Sequence, residues 1–445
     1  MNPRKPAFFI LITVASQWLW ATAMGDLAAQ MKAGEWRELP TVNLLPTISG
    51  YPGGASGSVL PYAQNGLWDP KTQSFYFVGS DHQHSTGYAK FITYSAQSNT
   101  WREFPRPSWF VPLTSTAMHG YDHNAIDAGK GILYFMEFCC PVSAWKYVIK
   151  DSIWTQMPDP NLGYQRVGGF EYFPELGGLI FAEGGSVYFF NEATGQWTTP
   201  LATGLVMGTY CNFAEYNPVH HIMVFGGGNG SSALYKLDAS KKVTKLTDAP
   251  AEVGALRINW NIFTVDPVSG DYLVFGGPND SGTFYTYNVV SDIWTKMNQT
   301  VPFFLPQTDG NAGSVYRTVA TPVSTYGVTM FVKWEGGGKV YLYKHSSGNQ
   351  VENKARVSGQ RVKLTVLPNP FRSGSILKFE GSFPASAAKL RIYNSQGRLV
   401  HEEKTTSAAL REGFKWDNRD WTNGIYVFTA DFGIAAVKGR AVLIK

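Results

Sequence analysis

Short runs of alternating apolar and polar residues recur along most of the chain, separated by turns rich in Gly, Asn, Asp and Pro. Runs of this length and period predict β-strands that bury one face. No run has the sustained heptads or the 3.6-residue period of a long amphipathic helix. The pattern therefore predicts an all-β fold built from many short strands.

These strands fall into repeating units. In each unit a second strand ends in small residues, commonly a glycine pair, as in 223–228 (MVFGGG) and 273–277 (LVFGG). A third strand carries an aromatic residue, and in four units a Trp follows seven positions later. These pairs are Tyr94 and Trp101, Tyr147 and Trp154, Phe190 and Trp197, and Tyr287 and Trp294. Such repetition predicts an array of small sheets, because a single unit cannot bury both of its faces.

The first Trp segment precedes the first unit, although in other units the Trp strand comes last. Residues 33–40 (AGEWRELP) look like the closing strand of a unit, although no unit precedes them. The sixth unit runs from 340–347 (VYLYKHSS) into polar sequence without a Trp strand. If six units stand in a ring, Trp36 can complete the sixth sheet beside residues 341–343. Closing the ring in this way leaves only short strand edges.

The order Gly-Gly, Tyr, Trp resembles the kelch repeat over about residues 33–345. The resemblance implies a six-bladed kelch-type β-propeller of the galactose-oxidase-like superfamily, closed by the N-terminal strand. We place this domain at residues 24–345. Two units depart from the pattern: the second has Cys139 and Cys140 where glycines belong, and the fourth has 243–246 (VTKL) in place of the Trp strand.

Residues 1–23 have the layout of a secretory signal peptide. Arg4 and Lys5 precede an apolar stretch at 7–20, and the small residues 21–23 form a cleavage site. The apolar stretch is shorter than the roughly 20 residues of a membrane span and contains Gln17. We expect cleavage near Ala23 and no transmembrane segment in the mature chain.

The C-terminal part has a different character. Residues 346–361 are polar and suit a linker, and residues 362–445 alternate like the strands of a small immunoglobulin-like β-sandwich. This part contains PNP at 368–370, IYNSQGRLV at 392–400, WD at 416–417 and GIY at 424–426. These motifs resemble the C-terminal sorting domain of the type IX secretion system. The resemblance implies secretion machinery as a partner, and release from the cell or attachment to its outer surface.

The distribution of charge bears on the kind of partner, and the number of cysteines bears on the source of stability. The net charge of +5 arises in the tail, where 15 Lys and Arg face 7 Asp and Glu from Ala355 onward, against 23 and 26 before it. The near-neutral larger part does not indicate a nucleic-acid partner. The three cysteines, Cys139, Cys140 and Cys211, cannot all pair within the chain, so stability does not depend on a disulfide framework.

Polar residues are concentrated on loops that a propeller would bring to one face. These are the loops that enter the innermost strands and the loops that join second to third strands, above the central channel. The histidines among them are His82, His84, His119 and His123. The other candidates are Asn65, Tyr121, Tyr164, Arg166, Tyr210, Asn212, Arg257, Asn259, Tyr316 and Arg317.

This rim admits two interpretations that involve polysaccharide. In the first it binds a carbohydrate, with aromatic faces on sugar rings and Asn, His and Arg on hydroxyls or carboxylates. In the second it is an active site for an acidic polysaccharide. His123 or His119 would then take a proton, Tyr121 or Tyr164 would protonate the leaving oxygen, and Arg166 or Arg317 would neutralise the carboxylate. The second set resembles propeller-fold polysaccharide lyases in residue types, without an aligned motif.

A third interpretation is a metal site. His82 and His84 form an H-x-H pair that could hold a divalent metal such as zinc, copper or calcium together with His119 or His123. No fourth ligand is evident, and no cofactor is predicted. Each histidine also fits a hydrogen-bonded channel residue, and the recurring tyrosines fit a purely architectural role.

We therefore predict a secreted or surface-attached propeller that binds extracellular glycans, with an acidic polysaccharide as the expected partner. The alternatives are a lyase acting on uronic-acid polymers and a protein-interaction or adhesion propeller without catalysis. The sequence does not decide whether the protein is an enzyme.

Overall fold

Contacts within the chain define two units, Met1–Gly348 and Asn349–Lys445, in this computed structural model. The structure describes residues 22–50, 57–80, 89–110, 119–138, 142–163, 166–278, 282–305, 313–334, 337–345, 363–367, 376–380, 387–394, 398–406, 409, 412, 414–415, 421–431 and 436–443. The predicted signal peptide lies outside these residues up to position 21, and the predicted linker lies outside them entirely.

The first unit consists almost entirely of antiparallel sheets. Its two α-helices are α1 (Ala23–Gln30) and α2 (Leu44–Ile48), and a 3₁₀ turn covers Pro302–Phe304. The strands are β1 (Glu35–Glu38), β2 (Leu67–Asp69), β3 (Ser74–Gly79), β4 (Lys90–Ser95), β5 (Thr100–Glu103), β6 (Asn124–Asp127), β7 (Ile132–Met136), β8 (Ala144–Val148), β9 (Ile153–Gln156), β10 (Gly169–Phe173), β11 (Gly178–Glu183), β12 (Ser186–Asn191), β13 (Gln196–Trp197), β14 (Asn212–Asn217), β15 (Ile222–Gly227), β16 (Leu234–Leu237), β17 (Val243–Lys245), β18 (Asn261–Val265), β19 (Tyr272–Gly276), β20 (Phe284–Asn288), β21 (Ile293–Lys296), β22 (Thr318–Val323), β23 (Val328–Lys333) and β24 (Lys339–Lys344).

In the described part of this unit the strands form six four-stranded sheets. Sheets 1 to 5 are β2–β5, β6–β9, β10–β13, β14–β17 and β18–β21, each in chain order, and sheet 6 has the order β22, β23, β24, β1. The first strand of each sheet contacts the first strands of the two neighbouring sheets, and β2 contacts β22. This circle of sheets is a β-propeller, as the sequence pattern predicted.

The first strands run side by side around a central channel. Parallel bridges join Ala63 to Tyr121 and Asp122 to Gly169. Because these strands are parallel, the chain enters all of them at one mouth of the channel and leaves them at the other. The two ends of the channel therefore receive different side chains, and each end is assembled from distant parts of the sequence.

The N-terminal strand closes the circle. β1 pairs antiparallel with β24, and Trp36 lies directly opposite Tyr343. The two rings stack with their centroids 4.5 Å apart, and Trp36 also packs on Phe331 and Phe275. The predicted closure is confirmed: the orphan segment is the fourth strand of sheet 6.

The seven-residue spacing before each Trp is the length of one hairpin. Trp101 lies opposite Tyr94, and Trp294 lies opposite Tyr287. Residues with left-handed backbone occupy the turns between third and fourth strands: Asn99, Ser152, Gly195, Lys241 and Asp292. The repeat is thus a fixed register in which a turn with positive φ sets the Trp against an aromatic ring.

The core lies between the sheets, and the second strands are its most buried element. Every residue of β3, β11, β19 and β23 is buried. Glycines at the ends of second strands such as β15 and β19 permit close approach of neighbouring backbones. At Gly227, whose φ is 60°, a Cβ atom would lie 2.1 Å from the Leu256 carbonyl oxygen.

Helix α1 packs against sheet 6. Thr22 caps it by accepting a hydrogen bond from the Gly25 amide, and Met24 is fully buried in the core. Cleavage near Ala23 would remove this cap, worth about 1 kcal/mol. No helix in the described residues has the length and apolar composition of a membrane span.

The second unit contains two antiparallel sheets. Its strands are β25 (Lys363–Leu367), β26 (Ile376–Glu380), β27 (Ala387–Asn394), β28 (Leu399–Thr406), β29 (Phe414–Lys415), β30 (Gly424–Asp431) and β31 (Ala436–Leu443). One sheet has the order β25, β26, β29, and the other has the order β28, β27, β30, β31. Trp421 stacks on Tyr426 with 4.7 Å between ring centroids. The immunoglobulin-like class of this unit stays a prediction.

Candidate functional site

Four tyrosines meet where the chain enters the first strands, at what we call the entry mouth: Tyr62, Tyr121, Tyr210 and Tyr316. The ring of Tyr62 lies 6.3 Å from that of Tyr121 and 6.0 Å from that of Tyr316, centroid to centroid. The Tyr121 and Tyr210 side chains lie close enough for each to affect the pKa of the other. Sheets 1, 2, 4 and 6 thus each place one phenol at this mouth.

A recurring backbone kink positions these side chains. Residues with left-handed backbone precede five of the six first strands: Tyr62, Tyr121, Cys211, Asn259 and Arg317. Such a conformation costs a non-glycine residue about 1–3 kcal/mol and persists where its surroundings hold it in place. Hydrogen bonds to the neighbouring sheet supply that support: the Gln64 amide donates to Tyr121, and the Cys211 amide donates to Val167.

The predicted histidines His119 and His123 flank Tyr121, at 5.2 and 5.4 Å between ring centroids. His119 is 1 % exposed and its Nδ1 lies 3.2 Å from the Ser80 carbonyl oxygen. His123 has no exposed surface and its Nδ1 donates to the Met136 carbonyl oxygen. Burial lowers the pKa of His123 to about 3, so the ring is neutral. In this conformation neither ring presents a surface to a ligand.

Burial raises the pKa values of three tyrosines at the entry mouth. Tyr121 is buried, and burial raises its pKa above the usual value, with Tyr210 adding to the effect. Burial also raises the pKa of Tyr210 and of Tyr316. The phenols are therefore uncharged at neutral pH and act as hydrogen-bond donors and acceptors. Cys211 beside them is buried, with a pKa raised by burial to about 11, so it is a thiol and not a thiolate.

Three arginines come from the entry segments of sheets 3, 5 and 6. Arg166 donates to the buried Glu183 carboxylate at 3.1 Å. The Arg257 guanidinium lies 4.3 Å above the ring of Trp260, which is 38 % exposed, and its Nε has no hydrogen-bond partner among the described residues. The Arg317 guanidinium lies 5.1 Å from the Tyr316 ring centroid. The entry mouth thus combines phenols with guanidinium groups held on aromatic faces.

The predicted asparagines differ in what they contact. Asn212 is fully buried, and its amide donates to the carbonyls of Gly226 and Gly227. Asn65 lies deeper in the channel and donates to the Asn124 carbonyl at 2.9 Å. Asn259 is half-buried, and its Oδ1 accepts no hydrogen bond from the described residues. Asn259 is therefore the asparagine with an acceptor available at the entry mouth.

Some predicted residues cannot be placed. His82, His84, Tyr164, Cys139 and Cys140 lie outside the described residues. Within the described part of the chain, no group of three His, Cys, Asp or Glu side chains could hold a metal ion. The metal interpretation therefore gains no support from the described residues and stays a prediction for the rest.

Sequence reasoning missed Tyr62, although a signal was present. Residues 62–65 (YAQN) and 121–124 (YDHN) share the spacing Tyr-x-x-Asn at equivalent points of units one and two. It also missed three carboxylates inside the channel, Asp122, Glu171 and Glu215. An isolated acid within an otherwise apolar strand, as in 169–173 (GFEYF), was the available signal.

Asp122 is the most constrained of these acids. It has no exposed surface, and its Oδ2 accepts a hydrogen bond of 2.6 Å from the Ala214 amide of sheet 4. Gly169 of the intervening sheet lies beside Asp122 and close to Ala214, since a Cβ there would be 2.2 Å from the Ala214 nitrogen. Burial raises the pKa of Asp122 to about 7.

We expect Asp122→Asn to remove part of the pH dependence of stability. Between pH 3.8, where the unfolded side chain ionises, and about pH 7, the folded protein holds a proton that the unfolded chain releases. Raising the pH through this window therefore destabilises the native state. One pKa unit corresponds to about 1.4 kcal/mol, so Asp122 should lower the free energy of unfolding by about 3 kcal/mol between pH 5 and pH 8.

Urea unfolding at pH 5 and pH 8 measures this change for wild type and Asp122→Asn. Between these two pH values, the free energy of unfolding should fall less for the variant than for wild type, and the difference should be about that amount. Exposed Asp151→Asn serves as the control and should track wild type. Equal pH slopes for Asp122→Asn and wild type would contradict the assignment.

Comparisons with known proteins bear mainly on the C-terminal unit. Residues 365–444 match the family described as the secretion system C-terminal sorting domain. No curated protein gives a significant match to the chain. The predicted sorting domain is confirmed, whereas the family of the first unit is not established by these comparisons.

Solved structures similar to the chain share little of its sequence. A structural genomics protein of unknown function from Bacteroides thetaiotaomicron is 10% identical over 70% of this chain and 76% of that one, with a TM-score of 0.47. An auxiliary nutrient binding protein from Bacteroides ovatus is 11% identical over 65% and 70%, with a TM-score of 0.45.

PorZ, a surface component of the type-IX secretion system of Porphyromonas gingivalis, is 12% identical over 84% of this chain and 58% of that one, with a TM-score of 0.35. Likenesses this distant carry no argument about activity. Residues 365–444 thus form a secretion system sorting domain, which indicates a protein that is secreted or attached to the cell surface.

Proposed function

We propose that the first unit binds an extracellular acidic polysaccharide at the entry mouth, after export through an N-terminal signal peptide and the type IX route. We also propose that this unit is a six-bladed propeller of kelch type. The observation that carries the binding proposal is the guanidinium of Arg257, held above the exposed Trp260 with a buried Nε that lacks a described partner.

The chemistry of the mouth fits a hydroxylated anion. Guanidinium groups form paired hydrogen bonds with carboxylates, and uncharged phenols donate to and accept from sugar hydroxyls. Exposed Trp260 offers a flat apolar face of the kind on which a sugar ring packs. A buried Nε without a partner is costly, and a carboxylate near Arg257 would offset that cost.

Binding is favoured over lyase chemistry. A lyase needs a base that reaches the proton next to the sugar carboxylate, and His119 and His123 are at most 1 % exposed. The protein-interaction alternative has no specific observation in its favour, because the mouth is polar and charged and not a flat apolar patch.

Titration of polygalacturonate and alginate into the full chain, with neutral dextran as the comparison ligand, tests the proposal. The double variant Arg257→Gln/Arg317→Gln should weaken binding at least tenfold, since each charge-assisted hydrogen bond contributes about 1.5–3 kcal/mol. Arg102→Gln is the matched control, because its guanidinium lies 4.4 Å above the Phe104 ring on an outer strand, and it should change affinity less than twofold.

Two outcomes would overturn the proposal: no binding of either acidic polymer, or equal affinity of the double variant and wild type. Absorbance of an unsaturated uronate, recorded in the same titrations, reports on the lyase alternative. We expect none to develop.

A further inference from the structure

The other end of the channel, where the chain leaves the first strands, holds a second concavity. A cavity of about 240 Å³ lies there, lined by residues at the carboxyl ends of the first strands and by the turns that follow. Much of its wall is apolar, including Leu67, Trp68, Ile126, Pro70, Pro174 and Pro322. We call this space the exit cavity.

Two carboxyl groups and one side-chain amide from different sheets line the exit cavity. Glu171 and Glu215 come from sheets 3 and 4, and Asn65 comes from sheet 1. Glu215 is 5 % exposed, and Glu171 is half-buried with one oxygen accepting from the Tyr172 amide at 2.7 Å. Among the described residues neither carboxylate has an ion-pair partner. The site therefore holds two carboxyl groups without a matching cation.

Asn65 gives separate evidence that the exit cavity lacks a hydrogen-bond donor. The residue is 5 % exposed, and its Nδ2 donates to the Asn124 carbonyl, which fixes the orientation of the amide group. Its Oδ1 accepts no hydrogen bond from the described residues. A buried acceptor without a donor is costly, and the residue lines the same cavity as the two carboxylates.

Other charged groups near the cavity already have partners. Asp127 pairs with Lys130 at 3.4 Å. Asp69 accepts from the amides of the turn after β2, and Asp266 accepts from those of the turn after β18. Asp122 lies farther inside the channel and accepts from the Ala214 amide. Glu171 and Glu215 are thus the acids left to meet a ligand.

We infer that the exit cavity binds an alkylammonium ion, with the ammonium group on Glu171, Glu215 and the Asn65 carbonyl oxygen and the alkyl body on the proline-lined wall. An ammonium group has three N–H donors and no acceptor, which suits two carboxylates and the unpartnered Asn65 oxygen. The volume is about eight times the roughly 30 Å³ share of one water, enough for a chain of several methylenes.

The electrostatics favour the same ligand. Burial raises the pKa of Glu215 well above its usual value, and repulsion from Glu171 and Asp122 adds to this. Burial and Asp122 raise the pKa of Glu171 as well, against the opposing Tyr172 amide. A cation between the carboxylates stabilises their ionised forms. Binding should therefore strengthen as the pH rises and should be accompanied by release of protons.

Isothermal titration of n-butylammonium chloride into the full chain tests the inference, with 1-butanol as the uncharged analogue. We expect butylammonium to bind at least tenfold more tightly than the alcohol, and Glu171→Gln/Glu215→Gln to remove that preference. Glu252→Gln, which removes an exposed acid paired with Lys296, is the matched control and should bind as wild type does. Cadaverine and a lysine-containing peptide then distinguish a free amine from a protein side chain as the source.

Several results would overturn the inference. Equal binding of butylammonium and butanol would show an apolar cavity without cation recognition. Displacement of butylammonium by millimolar calcium chloride, but not by sodium chloride, would show a metal site. If affinity does not rise between pH 5 and pH 8, the carboxylates are not the ligands. This test uses the wild-type protein, so it does not depend on whether a variant folds. If the exit cavity does not bind the amine, the proposal for the entry mouth is unaffected, because the two sites use different residues.

Discussion

Replacing Trp36 with alanine should lower the free energy of unfolding of the propeller by about 3 kcal/mol, the low end of the usual cost of truncating a large core aromatic, because Trp36 is partly buried against the core. The Trp36 ring contacts Tyr343 and Phe331 of sheet 6, and Phe275 of sheet 5, at 4.5 to 5.8 Å between centroids. It also belongs to the strand that joins the two ends of the circle. Its loss therefore weakens one sheet, the packing between two sheets, and the closure.

Trp294→Ala is the matched control for this prediction. Trp294 holds the equivalent position in sheet 5 and packs on Tyr287 with 4.8 Å between ring centroids, but its strand follows directly from a local hairpin. Denaturant unfolding should show a loss for Trp36→Ala that exceeds the loss for Trp294→Ala by at least about 1 kcal/mol. Equal losses would mean that Trp36 has no role beyond its own sheet.

Gly169→Ala should destabilise the propeller by about 3 kcal/mol or more. An added Cβ would lie 2.1 Å from the Phe213 carbonyl carbon and 2.2 Å from the Ala214 nitrogen. These are backbone atoms of the neighbouring first strand, so no side chain can move aside. Relief requires sheets 3 and 4 to separate at the channel, which lengthens the 2.6 Å hydrogen bond between Ala214 and Asp122.

Gly282→Ala controls for the effect of adding a methyl group at a glycine. There the nearest atom to the new Cβ is a ring carbon of Phe304 at 3.3 Å, and a side chain can adjust. We expect a change of at most about 1 kcal/mol for Gly282→Ala in thermal unfolding. A Gly169→Ala protein as stable as the Gly282→Ala protein would show that the first strands are farther apart than described.

Much of the fold could be predicted because its repeat is set by local geometry. A Trp seven residues after an aromatic is what a tight hairpin with a left-handed turn residue requires, so the spacing is visible in one sequence. The closing role of Trp36 followed from the same regularity, since a fourth strand was missing at one end and surplus at the other. The sorting domain was predictable for a different reason: its motifs lie close together in sequence.

The candidate site could be predicted only in part. Which loops reach the entry mouth follows from the strand order, so Tyr121, Tyr210 and Tyr316 were found. Whether a side chain there is available depends on partners from other sheets. Asn212 looked like a ligand-binding residue, yet its amide is bonded to Gly226 and Gly227.

The channel acids illustrate the same limit. Glu171 and Glu215 lie on adjacent strands but 44 positions apart in the chain, and nothing local shows that they line one cavity. Burial raises both pKa values, Asp122 adds to both, and Glu171 adds to that of Glu215. Such properties belong to the assembled ring and not to either strand.

Carbodiimide cross-linking followed by mass spectrometry tests the closure of the ring most directly, because the reagent joins a carboxylate to an amine only where they touch. Glu38 on β1 lies 2.7 Å from Lys339 on β24, and both are partly exposed. The exposed pair of Lys130 and Glu192, between sheets 2 and 3, serves as an internal reference. We expect both cross-links within single molecules. If the reference link forms while Glu38 couples only to other lysines or to other molecules, the N-terminal strand does not close the propeller.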